Sequence, residues 1–446
     1  MIWDLLIMQS IVTSIIDQLL DVKADLVIFN IFKLSVSLPM TIFGITTTYT
    51  VVLFSSEYLS NDILDDDFIK VFQAFHCIQT LMGSCRVDAR DRFVSPPTSF
   101  QKLYTILCSV ALTAIGIAYS FMLITIGDES RLKLIYIGNA SFAVILLTYL
   151  CNMIHVRFTN HVQNVQLYTR MQETDRIMKI DGNKHLNKIL RRTNNETVVI
   201  LNVLIVILLI FFMSGNRGIL TTIGFLIFIG TFIVFEFEIS YCANMMIYFT
   251  MRIKFINSII MNHLKPTKAM KKNALRTCRS SLYWVAAETH EFATSDTDKY
   301  LKQIFDCFIY FQNLYRFQVL LFFIDYVILS LLGLEYGILL AKYNVKLTIM
   351  ITFMIIAVSN ALFLCIRSQY FYSEISKTKK LSVSVLAETS DGPLRRKAKN
   401  MLNQISEMPA HFSVYSMWCL NMRVILTIIF SIITTNFITL LQFHFL

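Results

Sequence analysis

The sequence predicts an all-α polytopic membrane protein. It has seven transmembrane helices, N-terminus inside and C-terminus outside, and an additional hydrophobic helix near the N-terminus. Three observations predict it: an apolar composition, a series of windows long enough to cross a bilayer, and positive charge concentrated in alternate loops.

Hydrophobic residues make up 55% of the 446 and charged residues 16%, with a mean hydropathy of +0.58. Soluble domains run at roughly 45–50% and 25%. The 36 Phe suit lipid-facing helix surfaces, and 13 Gly with 6 Pro exclude a fibrous or low-complexity chain. The formal charge of +10 does not call for nucleic acid, because basic residues of polytopic proteins collect in cytoplasmic loops. The nine Cys are odd in number and scattered, with no Cys-x-x-Cys pair and no zinc spacing. They read as reduced, buried small hydrophobes. The N-terminus lacks the basic region and cleavage site of a signal peptide.

Seven apolar windows follow residue 100: 103–125, 132–154, 198–213, 219–249, 318–341, 345–366 and 424–443. Most are near the 20 residues that about 30 Å of hydrocarbon requires, and 219–249 is longer than a crossing needs. They are too long and too continuously apolar for barrel strands. The connections alternate short (127–131, 214–218, 342–344) and long (157–197, 252–316, 367–423). The long loops hold the charge, with Arg157, Arg170, Lys184 and Arg191 in the first, Arg252, Lys265, Lys271 and Arg279 in the second, and Lys377, Lys380, Arg395 and Arg396 in the third. Lys/Arg bias marks the cytoplasmic side, so all three long loops lie inside and the last span runs outward. The sequons at Asn139 and Asn195 then fall in a span and an inner loop, where no acceptor is glycosylated.

The chain divides into an extra segment at 1–60, a cytoplasmic N-terminal region at 61–102, and a seven-helix domain at 103–446 with inner helical extensions near 250–317 and 367–423. Residues 305–321 continue a helical apolar pattern ahead of the fifth span. Residues 398–406 read as an amphipathic helix after the break at Asp391-Gly392-Pro393. Their apolar faces pack either within one chain or against a second subunit.

No catalytic constellation, P-loop, dinucleotide fingerprint or metal-binding His pair is present, so neither enzymatic activity nor a cofactor is expected. The intramembrane acids Glu236, Glu238, Asp325 and Glu335 invite an ion-coupled transporter reading. Asp325 and Glu335, however, are expected near span ends, where water and headgroups solvate them. The last span carries Thr435, Thr439 and Gln442 at i, i+4 and i+7, one face of a helix. Such a stripe either bonds a neighbouring helix or lines water.

Here the chain resembles the insect gustatory receptors, which end in Thr-Tyr, five hydrophobic residues and Gln-Phe. Thr435-Asn436, Phe437 to Leu441 and Gln442-Phe443 follow that signature, with Asn436 in place of Tyr. The approach Phe412-Ser-Val-Tyr-Ser-Met-Trp418 is similar to that of lepidopteran members. The resemblance implies a tastant-gated, non-selective cation channel in the plasma membrane of a sensory neuron, built as a homo- or hetero-tetramer. Thr435, Thr439, Gln442 and Phe443 would line its pore. Depth alone then nominates Tyr136, Asn139, Phe142, Phe211, Thr222, Phe225, Tyr336 and Asn360 for a ligand pocket in the outer half of the helices. The sugar-receptor branch of the family carries Glu after the motif's Tyr. Phe437 stands there instead, which favours bitter or plant compounds.

The first 60 residues hold a further apolar window at 26–54, and Thr47-Thr48-Tyr49-Thr50 followed by Val51-Val52-Leu53 repeats the pattern of the last span. An outward span there conflicts with an inside start at residue 103, since 57–102 is too charged to cross. Residues 1–60 therefore read as the tail of a second receptor joined to this one, or else as a real eighth span. Two rival classes remain. A G-protein-coupled-type receptor would place its C-terminus inside, and a secondary transporter would show inverted repeats and broken helices.

Overall fold

The computed structural model describes residues 62–63, 65–88, 93–126, 132–180, 184–213, 219–264, 292, 294–342, 348–408 and 411–423, and five positions of the last span. All of them belong to the second of two compact units, Tyr49–Leu446. The apolar window at 26–54 and the segment 1–60 lie outside the described residues.

Nine helices are described. α1 (Asp66–Leu81) precedes the first span, α2 (Ser99–Ile126). α3 (Leu132–Ile154) ends in a π-turn at His155–Thr159. α4 (His161–Ile177) lies in the first long loop. α5 (Lys184–Met213), α6 (Ile219–His263), α7 (Thr297–Lys342) and α8 (Thr348–Glu388) carry the third to sixth windows. α9 (Pro393–Glu407) follows. Five of these helices are long and apolar enough to cross a membrane among the described residues. Among the described residues the bundle is all-α apart from two short antiparallel pairs, β1 (Asp62–Ile63) with β2 (Phe93–Val94) across α1, and the hairpin of β3 (Ser413–Val414) with β4 (Trp418–Cys419).

The predicted windows are only parts of these helices. α6 has 45 residues and α7 has 46, so each runs about 70 Å at 1.5 Å per residue, more than twice a hydrocarbon core. Neither Gly nor Pro interrupts residues 297–332 of α7, so nothing in its backbone stops the helix at the membrane surface. Among the described residues the long loops are thus largely helix, with 305–321 inside α7 and 398–406 inside α9, which begins earlier, at Pro393.

α6 is the central column, packed against α1, α2, α3, α5, α7 and α8. From Phe232 to Ile253 every side chain is buried, which suits a helix apolar all round rather than striped. Where the apolar windows give way to the long loops, Phe249, Phe308, Phe311, Phe371 and Phe412 interlock. Phe308 stacks on Phe371 at 4.3 Å and meets Phe412 edge-on at 6.4 Å. The aromatic face of the α7 extension is therefore buried within one chain. α9 buries Ala398, Met401 and Ile405 against α7 and α8.

Candidate functional site

The last span enters from the β3–β4 hairpin, whose turn residues Tyr415 and Ser416 have φ of 49° and 59°. The hairpin is anchored by Phe412 and by Trp418, whose ring meets Phe323 at 4.6 Å. Beyond it, Arg423, Leu426, Thr427, Phe430, Ser431 and Thr434 border an open groove of about 740 Å³. Phe430 is 65% exposed. These positions recur at three- and four-residue steps, so one long helix face looks into the groove. Continuing that spacing upward leads to Thr435, Thr439 and Gln442, which with Phe443 lie outside the described residues. Sequence reasoning stopped the stripe at Thr435. The signal for its inward continuation was present in the four-residue repeat Arg423, Thr427, Ser431.

The eight pocket candidates are only partly brought together. In the outer half of α2 and α3, Asn139 donates to the Ser120 carbonyl at 3.4 Å. Phe142 is buried over Gly116, where a Cβ would sit 2.5 Å from its ring. Tyr136 is 43% exposed. On α6, Thr222 is half-buried beside Gly224, and a Cβ at Gly224 would overlap the Tyr119 ring of α2. Two glycines therefore let aromatic rings lie against neighbouring helix backbones, and Gly116, Tyr119 and Gly224 join the site without having been singled out from sequence. Asn360 stands apart. It is 8% exposed, donates to Glu236, and accepts from Ser240 at 3.2 Å. Glu236 lies fourteen positions down α6 from Thr222, about 21 Å at the helical rise. The side chains of Phe211, Phe225 and Tyr336 lie outside the described residues, as does that of Glu335.

The buried acids are held inside the bundle. Asp325, expected to be solvated near a span end, is 6% exposed and accepts from Thr148 at 3.1 Å. Packing of α7 against α3 withdraws the carboxylate from solvent. Glu238 is fully buried and meets Arg86. Lower still, Asp175 takes Arg252 through two bonds of 2.9 and 2.6 Å and Tyr248 through one of 2.9 Å. Arg157, on the π-turn, donates to Thr105 at 3.0 Å, to Gln101 at 3.4 Å and to the Cys85 carbonyl. Charge count read these arginines only as markers of the inner side. Their burial depends on partners 52 to 232 positions away, for which the sequence carries no local signal. Of the described cysteines, Cys85, Cys242, Cys307 and Cys365 are buried as expected, whereas Cys77 is exposed.

Long apolar helices, short connections on one side and helical extensions on the other define an all-α, multi-pass membrane protein. The model of the 7tm chemosensory receptor family matches residues 76–446, and the chain belongs to that family. Among solved structures, the insect olfactory receptor OR5 from Machilis hrabei, determined in complex with eugenol, is similar in fold. Its TM-score is 0.56 at 12% identity, covering 84% of this chain and 100% of that one. No curated protein matches the sequence.

Proposed function

We propose that this chemosensory receptor is a subunit of a tetrameric, ligand-gated, non-selective cation channel of the gustatory type. It would sit in the plasma membrane of a sensory neuron and respond to bitter or plant compounds rather than sugars. The observation that carries this reading is the last span. One of its faces, Arg423, Leu426, Thr427, Phe430, Ser431 and Thr434, borders an open groove, and the same spacing leads along the sequence to Thr435, Thr439 and Gln442 of the terminal signature. A helix face left open among the described residues suits a water-filled axis shared among subunits. The outer cluster of Tyr119, Tyr136, Asn139, Phe142 and Thr222 supports an apolar pocket with few polar groups, the kind that takes small organic molecules.

The test is electrical. Cells expressing the full chain are superfused with a panel of plant alkaloids, with sucrose as the comparison. Alkaloid-evoked cation current without any G-protein supports the reading. Responses to sucrose alone would move the chain to the sugar branch, and a response abolished by G-protein block would sink the channel reading.

Residues 1–60 are, on the same reading, the tail of a second receptor, in keeping with a family match that begins at residue 76. Sequencing the transcript end to end decides this, since one continuous message in tissue would make the segment part of the receptor.

A further inference from the structure

Residues 83–88 form a buried strap that leaves α1 and meets Thr105 of α2 and Arg157 of the π-turn; Gly83, Ser84, Cys85, Arg86, Val87 and Asp88 are all buried. Its Arg86 is 2% exposed and enters a space bounded by five helices. The guanidinium donates to Glu238 of α6 at 2.5 and 3.0 Å, to Gln318 of α7 at 2.6 Å and to Asn164 of α4 at 3.2 Å. Gln318 in turn donates to Asn152 of α3 at 2.5 Å, and Gln79 of α1 donates to Glu238 at 3.0 Å. The Tyr315 ring lies 4.4 Å beneath the guanidinium carbon.

Two features separate this cluster from a passive brace. First, it is not saturated. Gln79 Oε1, Asn152 Nδ2 and Tyr315 Oη are buried without a protein partner among the described residues, so the same side chains hold spare donors and acceptors for a second pairing. A buried network with two arrangements supplies the bistable element that coupling between sites requires. Second, the strap is held from the other side by Arg157, carried on the π-turn at His155–Thr159. Such local widening of a helix recurs at functional positions. A buried Arg–Glu pair is also a weak source of stability compared with an apolar pair of the same size, which leaves specification of one state as its contribution.

We propose that Arg86 is a positioning residue for gating: from the N-terminal strap it holds α6 and α7 in one arrangement through Glu238 and Gln318, and opening or closing re-pairs this cluster. The assignment rests on the channel reading above.

The experiment compares the wild-type full chain with Arg86→Gln/Glu238→Gln, which removes both charges and leaves no carboxylate unpaired. Surface delivery and melting midpoint in detergent are measured beside the ligand-free and alkaloid-evoked currents per surface subunit. The expected result is a variant that melts near wild type yet differs at least about fivefold in the ratio of ligand-free to evoked current, the low end of coupling between sites. An unchanged ratio at normal delivery overturns the assignment and confines Arg86 to structure. If the double variant does not reach the surface, Arg86→Lys, which keeps the charge but loses the planar fork, is judged by the same ratio. A wild-type chain that is delivered yet silent to every probe overturns the channel reading and this assignment together; a current in wild type keeps the two outcomes separate.

Discussion

At the scale of single residues, the buried ion pairs set the largest expected effects. Arg252 and Asp175 are 1% and 5% exposed at their side chains. Removing one partner leaves a bare charge in the core, which costs about 3 kcal/mol or more. Asp175→Ala is expected to lower the melting midpoint strongly in detergent, and Asp175→Asn/Arg252→Gln to recover much of the loss. Equal melting of the single and double variants would contradict the pairing. His76 on α1 offers a pH effect of defined sign. Its ring meets the Tyr168 hydroxyl at 3.0 Å, and burial pushes its pKa down to about 4. The unfolded chain takes up that proton near pH 6.5 while the folded chain does not. Stability is therefore full above about 6.5 and falls as pH drops toward 4. Melting curves across that window should fall less steeply for His76→Phe than for wild type; parallel curves would show that His76 does not contribute. In the outer cluster, Gly224→Ala forces the Tyr119 ring to move, and the expected outcome is an altered ligand response with normal surface delivery.

At the scale of elements, helix length is the main finding. The apolar windows reveal where helices cross, because hydrocarbon demands continuous apolar side chains. They say little about where helices end, because an extension packed against other helices has no such demand. α5 starts at Lys184 and α8 runs to Glu388, both far into charged sequence that a hydropathy window rejects. The turn between α8 and α9 was legible, since Asp391-Gly392-Pro393 combines a residue of free φ with one that starts helices well. Gly392 indeed sits at φ +129°, which side-chain-bearing residues rarely adopt. Gly392→Val is expected to loosen the docking of α9, seen as faster proteolysis between Glu388 and Pro393 in the folded protein. Unchanged cleavage would mean that Met401 and Ile405 hold α9 without help from the turn.

At the scale of the whole molecule, orientation is the property with the widest consequence. An epitope placed after Leu446 should be stained on intact cells, as it would not be for a seven-span receptor with its C-terminus inside. Staining only after permeabilisation, with delivery shown independently, would overturn the charge argument and the pore assignment of Gln442 with it. The membrane class and the helical character of the crossings were legible in composition and periodicity. Both are averages over many residues imposed by a uniform solvent, the bilayer. The nine-residue ending from Thr435 to Phe443 could be read as a signature for another reason, because its residues are contiguous in sequence. What required the tertiary structure was every contact between distant segments. Arg86 meets Glu238 across 152 positions, Asp325 is withdrawn from solvent by neighbours on α3, and Phe308 finds Phe371 within its own chain. A chain's local preferences are written residue by residue, but the identity of a buried partner depends on which helices are brought together, and that is settled only by packing the bundle as one object.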